Sequence, residues 1–267
     1  MKNEEFIKVQ YPGVRVLTSD TGRIDRGKHY VKVLLEVDIT MALEKLKALR
    51  VPGRKISFQA WFIKLLADSV ALHPPVNGIH KGRDQVLVFR SVDVSTVVEK
   101  MVDGVPVPLP LVLRGANMKT CFELNDEIQS AISQSVADEG SLVLGKGENR
   151  LLIKLALALP QWLRLFVMRT FILGNPQRMQ KMMGTVMVTS VGSVGHLSGW
   201  ILPTSMHPLS LAIGSINKKP AIFEGEIQKR SILHLTVAVD HDVIDGIPAM
   251  RFMDDFVSKL EKGLELD

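Results

Sequence analysis

A single α/β domain, in which helices pack on a mixed β-sheet, is the fold class predicted for this chain, and three observations predict it. Segments with strand-like alternation and segments with helical spacing interchange irregularly along 267 residues. Short turn signals separate several neighbouring strand candidates, which favours hairpins over the regular strand–helix alternation of a doubly wound parallel sheet. The composition, 46% hydrophobic and 23% charged, is that of an ordinary globular chain and excludes extensive disorder or a fibrous repeat. The length is enough for one large domain with a substantial core.

The elements follow in order. Residues 28–40 (KHYVKVLLEVDIT) alternate as a strand, and Met41–Leu49 carries apolar residues at helical spacing. Ser57–His73 is a helix: Ser57 suits the N-cap, the apolar period is near 3.6, and Pro74-Pro75 stops it. Gln85–Val98 and Val105–Leu113 are rich in Val and Leu and read as strands joined through an Asp103-Gly104 turn. Asn117–Val136 is expected to be a second amphipathic helix. Four strands are expected at Thr185–Val191, Leu209–Asn217, Ala221–Gln228 and Ile232–Val239, before a last helix near Pro248–Leu264.

Charge and motif content remove several function classes. The net charge of +5 is concentrated in residues 151–183, where Lys154, Arg164, Arg169, Arg178 and Lys181 stand without an acid. The rest of the chain is balanced, so no general basic field for nucleic acid exists and no nucleic-acid partner is expected. Cys121 is the one cysteine and cannot form an internal disulfide; with no apolar leader at the N-terminus, a cytoplasmic location is expected. The run GSLVLGKG (140–147) approaches a phosphate-binding loop, but Gly147 stands where a magnesium-binding hydroxyl belongs, and no strand precedes it. Metalloprotease, dinucleotide and serine-hydrolase motifs are absent from the sequence.

The chemistry-bearing types gather in VAVDHDVIDGIPAMRF. Val237 and Val239 end a strand, and Asp240, His241, Asp242 and Asp245 then crowd a turn before a helix. One imidazole among carboxylates is a poor metal set, so no metal is expected.

DHDVIDG resembles the HxxxDG signature of the chloramphenicol acetyltransferase and dihydrolipoamide acyltransferase superfamily, in particular the catalytic domain of the 2-oxo acid dehydrogenase acyltransferases. SFQAWFIKLLADSVALHPPVNG is similar to that family's long helix, and SVDVSTVVEKMVDGVPVPLPLVLRGANMKT to its central hairpin. GTVMVTSVGSVG resembles its Gly-Thr-Phe-Thr-Ile-Ser-Asn-Leu-Gly strand, and PLSLAIGSINKKPAIFEGEI the strand pair before the active-site His. The likeness covers roughly residues 28–140 and 184–264.

The resemblance implies a chloramphenicol acetyltransferase-like two-layer sandwich and an acyltransferase that moves an acyl group directly between coenzyme A and a dihydrolipoamide-like thiol or another small acceptor. It implies His241 as general base, Thr189 as the hydroxyl that steadies the oxyanion, and Asp245 as the residue holding the His loop. It further implies a homotrimer whose sites lie between subunits, pairing His241 of one protomer with Thr189 of the next. The cofactor implied is coenzyme A as acyl-CoA substrate, without a metal.

Three departures from the family pattern carry expectations of their own. Asp242 stands where the family has Arg, and a carboxylate beside the imidazole favours the charged imidazolium, which is unhelpful for a base. Residues 1–267 read as one catalytic domain with no lipoyl or subunit-binding domain and no covalently attached lipoyl group, so a lipoyl-bearing carrier protein is expected to act in trans and the enzyme to stand alone. Residues 141–183 form a basic, apolar helical insertion. Pro160 should divide it into two helices. Lys154, Gln161, Arg164 and Arg169 fall on one side of its wheel, so 151–173 offers a peripheral membrane contact, cover for an acyl tunnel, or a packing surface. A noncatalytic assembly or regulatory subunit and a membrane-surface acyltransferase for a long acyl chain are the alternative functions.

Overall fold

The computed structural model describes residues 15–49, 56–82, 84–102, 105–133, 158–190 and 198–266. A six-stranded sheet organises it, in the order β1-β8-β7-β6-β4-β5. These strands are Tyr30–Asp38 (β1), Val94–Val102 (β4), Val105–Leu113 (β5), Val186–Ser190 (β6), Leu209–Phe223 (β7) and Glu226–Asp240 (β8). β1 pairs antiparallel with β8, β8 with β7, and β4 with β5, whereas β6 lies parallel to both β4 and β7. The sheet is therefore mixed, as predicted. A separate hairpin pairs Gly78–Lys81 (β2) with Gln85–Val88 (β3).

Helices cover one face: Thr40–Ala48 (α2), Phe58–Leu72 (α3), Cys121–Ser133 (α4) and Gly246–Lys262 (α7) pack with the strands around one contiguous core. α3 is apolar nearly all round because it is central: Trp61, Phe62, Ile63, Leu65 and Leu66 are all buried. Phe62 meets Phe256 of α7 edge-on at 5.3 Å between ring centres, and Trp61 donates its indole N–H to the Leu264 carbonyl at 2.8 Å. The expected Ser57 cap is present, its hydroxyl accepting from the Ala60 amide at 3.2 Å.

Several boundaries differ from the sequence reading. Gln85–Val98 is two strands rather than one. Between β3 and β4 the Asp93 carboxylate accepts from the Gly115 amide, the Ser91 hydroxyl and Arg114, and Asn77 donates to the carbonyls of Phe89 and Ser91, so side chains satisfy the backbone where the chain changes sheets. Ala221–Gln228 is no independent strand but the tip of one long β7–β8 hairpin. It turns at Glu224 and Gly225, both with positive φ, 52° and 85°. α4 starts at Cys121 rather than Asn117, because Thr120 and Glu123 close a reciprocal capping box just before it. Helix Arg15–Asp25 (α1) and the β2 strand have no counterpart in the sequence reading. The Asp103-Gly104 turn, residues 134–136 and the 140–147 glycine run lie outside the described residues.

The described part of the insertion is a helix from Gln161 to Val167 (α5) that continues as a π-helical turn over Met168–Leu173, followed by Pro176–Met183 (α6). Pro160 sits at the N-cap of α5, as its fixed φ favours, while the first predicted helix falls outside the described residues. The side of the wheel that carries Gln161 and Arg164 is turned inward at those two positions. Arg164 places its Nε 2.7 Å from the Asp20 carboxylate of α1, and Gln161 donates to the same group at 3.0 Å. Asp20 is buried, and this bidentate clamp holds its carboxyl below the usual carboxylate range against the opposing effect of burial. Gly184, at the junction with β6, has φ +83°, and a Cβ there would stand 2.6 Å from the Asp93 carbonyl oxygen. Only glycine fits that approach.

Candidate active site

The site is built where the two outermost residues of the β1–β8 pairing meet. Tyr30 opposes Asp240 at the end of the register, and one residue further the His241 amide donates to the His29 carbonyl at 2.9 Å. β8 stops here because the Asp240 carbonyl turns back to accept from the amides of Val243 and Ile244, both at 3.0 Å. Ile244 is buried in the core and plugs the turn, while His241 stands exposed at its apex. α7 begins at Gly246 with Asp245 at its N-cap. The Asp245 backbone is extended as a cap requires, but its side chain makes no cap hydrogen bond. It is exposed.

Two of the carboxylates around His241, those of Asp240 and Asp242, are engaged elsewhere. Asp240, 2% exposed, accepts from Lys28 Nζ at 2.5 Å through one oxygen and from the Asp242 amide at 3.3 Å through the other. Asp242, expected from the sequence to press on His241, instead places both carboxylate oxygens against His29 Nδ1, at 2.9 and 3.0 Å. That bond raises the pKa of His29. Among the described residues the His241 ring has no hydrogen bond or ion pair. Behind the loop, Tyr30 donates to the carbonyls of Ser205 and His207, and the fully buried His207 is pushed down to about 4 by desolvation. Lys28 and His29 were not among the sequence candidates: no local signal ties them to a turn 212 positions away, and only strand pairing does.

Thr189 lies on β6, half-buried, opposite Ala212 of β7, which opposes Thr236 of β8. His241 is five residues beyond Thr236 and two strands away, so within one protomer the two Cα atoms are separated by about 16 Å along the strands and about 10 Å across them. A single chain does not bring these two residues together. Among the described residues no group of three or more His, Cys, Asp or Glu side chains is placed to hold a metal ion. Cys121, the first residue of α4, is buried, and desolvation raises its thiol to about 11.

A mixed six-stranded sheet with helices packed on it is an architecture that solved structures share. A probable dihydrolipoamide acetyltransferase from Listeria monocytogenes superposes with a TM-score of 0.67 at 20% identity, covering 97% of this chain and 95% of that one. The cubic core of the pyruvate dehydrogenase multienzyme complex gives 0.67 at 17% identity, covering 97% and 93%. In sequence, residues 174–266 match the family described as 2-oxoacid dehydrogenases acyltransferase (catalytic domain). The chain is 28% identical over 238 residues to the dihydrolipoyllysine-residue acetyltransferase component of the pyruvate dehydrogenase complex of Zymomonas mobilis, and 25% over 234 residues to that of Bacillus subtilis. These alignments cover 87% and 84% of this chain, but 45% and 43% of the relatives. The chain thus spans less than half the length of these curated relatives.

Proposed function

We propose that the chain is an acyltransferase catalytic domain that moves an acyl group between the thiol of coenzyme A and that of a dihydrolipoamide-like acceptor. The observation that carries this reading is the exposed His241 imidazole at the β8 terminus, beside Asp240 and Asp242, whose carboxylates are bound to Lys28 and His29. A neutral imidazole accepts the proton of an incoming thiol, which is mostly protonated near neutral pH. The sulfur attacks the thioester carbonyl, the resulting oxyanion takes a hydrogen bond from Thr189 of a neighbouring protomer, and collapse expels the other sulfur, which recovers the proton from His241. No covalent enzyme intermediate is needed. Acyl transfer of this kind matches what the names of the relatives state for those proteins.

The roughly 16 Å register offset between Thr189 and His241 within one chain supports a site shared between subunits, and a homotrimer supplies it. A lipoyl-bearing carrier delivers or receives the acyl group in trans. Acetyl-CoA and free dihydrolipoamide, followed by thiol release, test the reaction. Replacing His241 by Ala should lower turnover by about 10² to 10⁴, and Thr189→Ala by about 10² to 10³. Undiminished turnover in His241→Ala overturns the general-base assignment.

A further inference from the structure

The insertion presents its aromatic side outward. Trp162 is 69% exposed, Phe166 57% and Phe171 51%, on a segment whose polar side chains Gln161 and Arg164 are spent on Asp20. A helix normally docks by its apolar face, and this one docks by a buried charge pair. Along a regular α-helix Phe171 would sit about 140° around the axis from Phe166. The Met168–Leu173 turn is π-helical instead, with the Gly174 amide donating to the Arg169 carbonyl at 2.8 Å. Five residues then come closer to a single turn, which swings Phe171 back toward Phe166 and Trp162. The wider turn thus gathers three aromatic side chains on one side.

The surroundings of that side are cationic. Arg169, Arg178 and Lys181 are exposed on the same segment, Arg23 is exposed on α1 beside it, and residues 151–183 contain no acid at all. Exposed aromatic rings ringed by cations complement a surface with an apolar interior and anionic headgroups. No helix among the described residues is long and apolar enough to cross a bilayer, so the contact is one of lying on the surface. We propose that the outer side of the 161–173 helix is a docking surface for anionic lipid bilayers, with Trp162, Phe166 and Phe171 entering the headgroup region and Arg169, Arg178 and Lys181 meeting the phosphates. Arg164 is excluded from this role because it clamps Asp20. The inference is independent of the acyl-transfer reading.

Flotation of the full chain with vesicles tests it. The chain should float with phosphatidylcholine–phosphatidylserine vesicles at low salt and much less with phosphatidylcholine alone, each exposed cation contributing about fivefold to partitioning. Trp162→Ser/Phe166→Ser/Phe171→Ser should reduce the bound fraction by about tenfold or more, and Arg169→Glu/Arg178→Glu should abolish the preference for anionic vesicles. An unchanged thermal transition confirms that the triple variant folds. Should it not fold, quenching by brominated lipid of the fluorescence that is lost in Trp162→Phe reports the same contact. Failure of the wild-type chain to float, flotation unaffected by the triple variant, or absence of quenching overturns the proposal. A shift in sedimentation by the triple variant without wild-type flotation assigns this side to a second copy of the chain instead.

Discussion

His241 was legible from the sequence because its neighbours form a recognisable spacing, yet the residues that set its surroundings were not. Lys28 and His29 sit in an unremarkable strand leader and acquire roles only when β1 pairs with β8. The Lys28–Asp240 pair is shielded, with side-chain exposures of 20% and 3%. Lys28→Met leaves a buried carboxylate unpaired and should lower stability in urea titrations by about 3 kcal/mol, with Asp240→Asn in the same chain restoring part of the loss. His29–Asp242 is a surface pair. Its imidazole is raised by the carboxylate, so the pair stabilises the loop below the ordinary histidine range and loses that contribution as pH rises through the raised value. An NMR titration of His29 should show its midpoint fall in Asp242→Asn. His207 works in the opposite direction. Its ring stays neutral in the fold down to about pH 4 while an unfolded chain takes a proton near 6.5. Stability therefore declines between those values, by about 3 kcal/mol in total, and His207→Gln should flatten that limb of the acid-denaturation curve.

At the scale of elements, periodicity located α3, β1 and β5 because one local pattern governed each of them. It failed where a tertiary bond or a turn decided the boundary. The Glu224-Gly225 turn was missed because Glu is an unexpected residue at positive φ, so the alternation of Ala221–Gln228 ran straight through it. α1 escaped notice since it carries a mixture of polar and apolar residues and earns its place by presenting Asp20 to Arg164. Asp20→Asn should therefore loosen α5 from α1 and accelerate limited proteolysis between residues 158 and 175, with little change in far-ultraviolet dichroism. Ser57→Ala removes a cap on the central helix and should lower stability by about 1 kcal/mol in thermal unfolding.

For the molecule as a whole, helix and strand patterns gave the class, while the parallel pairing of β6 with β4 and β7 was not legible in the sequence. Crossover order leaves no mark on local periodicity. The proposed sharing of a site between chains has a direct test: His241→Ala and Thr189→Ala protomers, each inactive alone, should regain about a quarter of wild-type activity when randomly co-assembled. The β7–β8 ribbon belongs to the same scale. Among the described residues it has no flanking strand beyond Asn217 and Ile232, and Ile222 and Ile227, paired across its tip, are each 79% exposed. Ile222→Asp/Ile227→Asp should weaken self-association in sedimentation velocity while leaving the stability of the protomer nearly unchanged.

The amide link from His241 to His29 also constrains how the protein comes into being. A growing polypeptide holds its N-terminal partner strand long before the ribosome has made the imidazole, and closing so distant a contact is slow. The corner that carries His241 is consequently among the last parts to take shape, and a nascent chain stalled before residue 240 lacks it however well its earlier helices have collapsed.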